Sequence, residues 1–185
     1  MPWDNDRFDE LERRVKETLK GGRPALDVPF FHFPYGPENG IERTCIIEFQ
    51  NMVKRLKAEE LSAETIFLSK LLLDSLRELG LLDEDVLAKE SRDRKEIFND
   101  LRGRYLKEWI VKRLIDRLDG KDASHCAVLL RAGALFPFVR ISHILSGLDG
   151  RIGCVLVIPY PGSKEGEMLW YPGDGSNNYY RWETV

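Results

Sequence analysis

The chain has 185 residues and a formal net charge of -3, with 43% hydrophobic and 32% charged residues. The length suits one domain, and the composition is that of a folded globular protein rather than a disordered one. The acidic balance argues against nucleic-acid binding driven by bulk charge. The longest apolar run, near Cys154 to Pro159, is too short to span a bilayer.

The N-terminus carries Trp3, Asp4, Asp6, Asp9 and Glu10, which is unlike a secretory signal. Phe8, Leu11, Val15 and Leu19 recur at helical spacing before Gly21-Gly22, so residues 1–22 are expected to hold an amphipathic helix. Leu26 to Phe33 reads as a strand covered on both faces. After the turn residues Pro37-Glu38-Asn39-Gly40, the residues Cys45, Phe49, Met52, Val53 and Leu56 share one helical face, and that helix ends near Glu59. Thr65 to Leu68 is a short second strand, and Leu71 to Leu79 a leucine-rich helix closed by Gly80.

Val86 to Leu118 is one charged stretch with an apolar stripe at Ile97, Leu101, Leu106, Ile110, Leu114 and Leu118, divided into two helices at Gly103. Between Lys89 and Arg117 basic residues outnumber acidic ones. A solvated helix face accounts for this more simply than a DNA-binding surface does. Cys126 to Leu130, a helix over Phe136 to Leu145, and Ile152 to Ile158 form a strand–helix–strand unit with two parallel strands. Met168 to Tyr171 and Tyr179 to Thr184 are expected as late strands paired in an antiparallel hairpin at the sheet edge. The fold class is therefore α/β: a central, mostly parallel sheet flanked by helices, as a single domain over residues 1–185.

No phosphate-cradling glycine loop, serine elbow or metal-ligand spacing is present, so no catalytic, cofactor or metal residues are assigned. Cys45, Cys126 and Cys154 are far apart and odd in number, as for buried reduced thiols in a cytoplasmic protein. A nucleophilic pair of Cys126 with His143 is disfavoured because Cys126 opens a buried strand. His32, within an aromatic strand, reads as a core or rim group.

Ligands in parallel sheets bind outside the C-terminal strand ends, which here carry Arg131-Ala132-Gly133 and Pro159-Tyr160-Pro161-Gly162. Arg131 is expected to emerge at that rim. Arg140 and His143 share a helical face, and Arg181 follows Tyr179-Tyr180. These four could grip a carboxylate or phosphate, or pair with acidic groups inside the domain. Tyr160, Trp170, Tyr171, Tyr179, Tyr180 and Trp182 make the last third rich in residue types that anchor protein interfaces. The candidate interaction or anion site is thus Arg131, Arg140, His143, Tyr160, Tyr179, Tyr180 and Arg181.

Three blocks resemble the BrxB family of BREX bacteriophage-exclusion systems. The first is Pro29-Phe30-Phe31-His32-Phe33-Pro34-Tyr35-Gly36-Pro37 with Glu38 or Glu42 after it. The second runs from Leu129 to Arg140 and includes Phe136-Pro137-Phe138-Val139-Arg140, followed by Ser142-His143. The third is Tyr160-Pro161-Gly162 with Asn178-Tyr179-Tyr180-Arg181. The resemblance runs from about Phe8 to the end of the chain. Arg131-Ala132 stands where the family often has Thr-Gly.

BREX systems combine a DNA methyltransferase, an AAA+ ATPase, the phosphatase-like PglZ and small accessory proteins. The resemblance implies an accessory or assembly subunit of antiviral defence without an established catalytic activity, and the residues give no cofactor. Its partners would be proteins of the operon, PglZ first, with association to DNA only indirect, through the complex. The competing readings are a degenerate nucleotide- or anion-binding protein, or a DNA-binding subunit of the same system.

Overall fold

The computed structural model describes residues 3–21, 30–36, 38, 40–83, 104–165, 168–170, 178–179 and 183–184. Its elements in chain order begin with α1 (Asn5–Leu19), β1 (Phe30–Tyr35), α2 (Ile41–Ala58), β2 (Ser62–Phe67) and α3 (Leu68–Glu78). They continue with α4 (Arg104–Leu118), β3 (His125–Leu130), a 3-10 turn (Ala132–Leu135), α5 (Ile141–Leu148) and β4 (Val155–Pro161). The short strands β5 (Ser163–Glu165), β6 (Met168–Trp170), β7 (Asn178–Tyr179) and β8 (Glu183–Thr184) follow.

The main sheet has the order β2-β3-β4-β1-β8, and every adjacent pair is parallel. β3 and β4 are internal, as their unbroken apolar runs predict. Successive side chains of a strand point to opposite faces, so each strand feeds two cores. Ala127 and Leu129 of β3, with Leu156 and Ile158 of β4, pack beneath α3, α4 and α5. Cys126, Val128 and Leu130, with Val155 and Val157, pack beneath α1 and α2.

The helices meet these layers with the predicted stripes. Phe8, Leu11, Val15 and Leu19 of α1 are all buried, and so are Leu106, Ile110, Leu114 and Leu118 of α4. The Asp4 side chain caps α1 by accepting from the Arg7 backbone N–H at 3.0 Å. Phe8, Phe33 and Phe49 pack edge to face, with centroids 5.0–5.9 Å apart. Gly147 of α5 lets that helix lie directly on α4. A Cβ there would stand 2.8 Å from Val111 Cγ2.

Several boundaries differ from the sequence reading. β2 begins at Ser62, three residues early, because Ser62 and Glu64 are polar strand residues that find partners on neighbouring elements. α3 follows β2 with no connecting residue. α5 begins at Ile141 rather than Phe136, since the Phe138 and Val139 N–H groups both donate to the Leu135 carbonyl at 2.9 Å and close a turn first. β4 starts at Val155.

The late strands depart most. Of the predicted strand Tyr179 to Thr184, Tyr179 lies in β7, which pairs antiparallel with β6, and 183–184 form β8, which pairs parallel with β1; residues 180–182 lie outside the described residues. The antiparallel strands form a sheet of their own, β5-β6-β7, instead of a hairpin on the edge of the main sheet. The predicted strand residues before Phe30 and the helix before Gly103 lie outside the described residues. Among the described residues no helix is long and apolar enough to cross a membrane.

One buried carboxylate ties the two helices on the first face together. Glu12 of α1 is 7% exposed and accepts from Arg55 Nε of α2 at 3.0 Å and from Lys16 Nζ at 3.0 Å. Burial pushes its carboxyl up, but the bonds from Arg55 and Lys16 outweigh that and hold it below the ordinary carboxylate range. A depressed folded-state pKa stabilises the fold above the unfolded value, and the contribution is lost as pH falls through the folded value. Glu12→Gln is therefore expected to cost about 1–3 kcal/mol at pH 7. Urea titrations below about pH 4 should show parent and variant converging.

Candidate functional site

The path of the chain determines where a crevice can open. β3 leads to the 3-10 turn and α5 on one face, β1 leads to α2 on the other, and β4 lies between them. This reversal of direction is where parallel sheets usually take ligands, outside their C-terminal ends.

Arg131 emerges there, as its place after β3 predicts. It occupies the left-handed region at φ 62°, ψ 44°, a conformation that costs a non-glycine residue about 1 kcal/mol. Its Nε lies 3.4 Å from Oε1 of Glu42, in the first turn of α2, and both side chains are nearly half exposed. The pair joins the two walls of the crevice. At the same ends of the strands the Gly162 N–H donates to the Tyr35 carbonyl at 2.8 Å and closes the end of β4 onto β1. The rim is thus bridged by groups of the chain itself.

Arg140 and His143 do come together. Arg140 is the N-cap residue of α5 and His143 is its third residue, and both are exposed. Lys107 of α4 is near enough to act on the imidazole. Partial burial, then Lys107, then Arg140 push the His143 pKa below its ordinary value. Phe136 is 37% exposed on the loop between Arg131 and Arg140. The stretch from Arg131 to His143 therefore presents three basic-type side chains and one large apolar one.

Tyr160 is placed differently. It is 7% exposed and belongs to the core beneath α3–α5, with its ring 5.6 Å from that of the buried His32. Its role there is packing rather than contact at the surface. Tyr179 lies in β7, apart from the main sheet. Tyr180 and Arg181 lie outside the described residues.

Cys126 and His143 belong to opposite faces, since Cys126 packs beneath α1 and α2. Burial pushes the Cys126 and Cys45 thiols far up, and the Cys154 thiol to about 11, so none is a ready thiolate. On α4, Arg113 is engaged by Glu78 and Arg117 by Glu64, so two cations of the basic stretch are already paired within the fold.

A second constellation lies at the other end of the sheet. Ser62 opens β2 and His125 opens β3, and the parallel register sets them side by side. Ser62 Oγ is 2.7 Å from His125 Nδ1, and His125 Nε2 is 3.2 Å from Glu64 Oε1. Glu64 Oε2 accepts from Arg117 Nε at 3.0 Å and Nη2 at 2.7 Å. Burial raises the Glu64 carboxyl, but the Arg117 and His125 contacts lower it further, so it stays ionised below the ordinary range. No local sequence signal marks this group. Ser62 and His125 are 63 positions apart, and only strand register joins them.

Residues 64–184, about two thirds of the chain, match the family model described as BREX protein BrxB. The chain belongs to the BrxB family. Membership makes it a component of a BREX bacteriophage-exclusion system. The match takes in the blocks around Arg131–His143 and Tyr160–Gly162, whereas the aromatic block in β1 lies before it. No curated protein and no solved structure shows significant similarity to this BrxB-family chain.

The geometry at Arg131 separates local strain from ion pairing. Arg131→Gly relieves the left-handed backbone and removes only an exposed ion pair. Chemical denaturation should find the variant within about 1 kcal/mol of the parent, or above it.

Proposed function

We propose that this BrxB-family chain is an assembly subunit of its BREX complex that works by touching other proteins, with PglZ as its first partner. The observation that carries the proposal is the surface between Arg131 and His143. Arg131, Phe136, Arg140 and His143 stand exposed along one short stretch of the family-matched region. Arginine and aromatic side chains are the types that dominate interface energetics. The docking role asks no reaction of the subunit, and contact with DNA would come only through the complex.

Tagged chain co-expressed with PglZ should retain it through purification. Replacing Arg131, Arg140 and His143 together by Ala should abolish retention while the variant still melts cooperatively. Absence of PglZ from a folded, tagged parent would overturn the proposal.

A second reading, binding of a nucleotide or similar anion, is favoured by one observation: Lys107, Arg140 and His143 converge beside the N-terminus of α5. A ligand at a hundredfold excess over its Kd stabilises by about 2.7 kcal/mol. Thermal shifts across a nucleotide panel should show that gain for this reading to hold. Unchanged melting would leave the docking role alone.

A further inference from the structure

We propose that Ser62, His125 and Glu64 form a nucleophile, base and orienting carboxylate that cleave a carboxylic ester at the foot of the sheet. The proposal stands apart from the docking role and uses none of its residues.

The hydrogen bonds determine the direction of the relay. An ionised carboxylate only accepts, so the His125 Nε2 bonded to Glu64 carries the proton. When the ring is neutral, the other nitrogen, Nδ1, presents its lone pair to Ser62, whose hydroxyl then donates across 2.7 Å. A hydroxyl on a base that is itself oriented by a third group is the arrangement of an activated nucleophile. Arg117 grips Glu64 through two bonds and keeps the carboxylate in place.

Both reacting residues open their strands directly after hydrogen-bonded turns. α2 ends with Leu61 N–H donating to the Leu56 carbonyl at 3.0 Å, one residue before Ser62. His125 N–H donates to the Asp122 carbonyl at 3.0 Å, and Asp122 Oδ1 also holds the Ser124 N–H at 2.9 Å. The imidazole is 6% exposed, while Ser62 is exposed to an incoming substrate.

β2 is also an edge strand of the main sheet, so alternate backbone N–H groups on its open side can bond a developing oxyanion. A groove of about 710 Å³ runs beside the same strand, from Thr65 to Phe67. Its apolar wall is Ile66, Phe67, Leu71 and Trp109, and charged side chains such as Lys70, Asp74, Arg113 and Arg117 line the rest, so a short acyl group with a polar end fits it best.

In the reaction, Ser62 Oγ bonds to the ester carbonyl carbon as its proton passes to His125 Nδ1. The bond from that carbon to the alcohol oxygen breaks, and His125 returns the proton to the departing alcohol. Water then attacks the acyl-Ser62 with the same proton transfers and releases the carboxylic acid. His125 touches the moving proton. Glu64 acts through it, as a positioning residue.

The test uses the purified full chain with a fluorophosphonate probe and p-nitrophenyl butyrate. Expected are a single label that peptide mapping assigns to Ser62, its loss in Ser62→Ala and His125→Gln, and ester hydrolysis by the parent. Glu64→Gln should lower kcat by about a hundredfold or more with KM unchanged. Thermal melts show which variants fold. If His125→Gln does not, Ser62→Ala and Glu64→Gln decide. A folded parent that takes no label, a label elsewhere, or equal labelling in folded His125→Gln would each overturn the proposal. A Glu64→Gln variant with parental kcat would remove the relay.

Discussion

Burial of the parallel sheet on both faces is the constraint on which the other features depend. β3 sends Ala127 and Leu129 into one apolar layer and Cys126, Val128 and Leu130 into the other, and none of these side chains reaches solvent. Strands of this kind cannot carry polar chemistry along their length, because an unpaired buried polar group costs several kcal/mol. In β3 and β4 polar groups are therefore kept to the strand ends, whereas β1 carries the buried His32 along its length. The C-terminal ends gather Arg131 and Glu42, and the N-terminal ends gather Ser62, His125 and Glu64.

The two ends have opposite characters. At the C-terminal rim the chain spans its own crevice with an ion pair and a backbone hydrogen bond, and Phe136, Arg140 and His143 are exposed on the outer surface beside it. Such a surface suits a macromolecular partner better than an enclosed small molecule. At the foot, a histidine is almost wholly shielded yet bonded on both nitrogens, beside a hydroxyl that solvent reaches. The match to the BrxB family covers Arg131 at the first end and Glu64 and His125 at the second.

Much of the architecture is legible in the sequence. The helical stripes of α1 and α4 and the unbroken apolar runs of β3 and β4 predict the layers, because apolar periodicity reports burial directly. What escapes is whatever depends on partners distant in the chain. Ser62 and Glu64 look like loop residues until His125 and Arg117 are seen to satisfy them. Tyr160 looks like a surface aromatic because Tyr-Pro-Gly suggests a turn, yet β4 runs to Pro161 and carries the ring into the core. Phe136 has the composition of a helix start, but the turn closed on the Leu135 carbonyl delays α5 to Ile141.

The pairing of β1 has a consequence for assembly. β1 is made early, yet its strand partners are β4, at residues 155–161, and β8, at residues 183–184. β2, β3 and β4 follow one another in both sequence and space, so their pairings close shorter loops than those of β1. Contacts of large sequence separation slow folding and leave their members exposed meanwhile. During synthesis the Phe30-Phe31-His32-Phe33 run therefore waits for more than half the chain before a neighbouring strand can cover its edge. α1 and α2 can shield one face of it in the interval, which gives the N-terminal helix a protective part in folding beyond its share of the finished core.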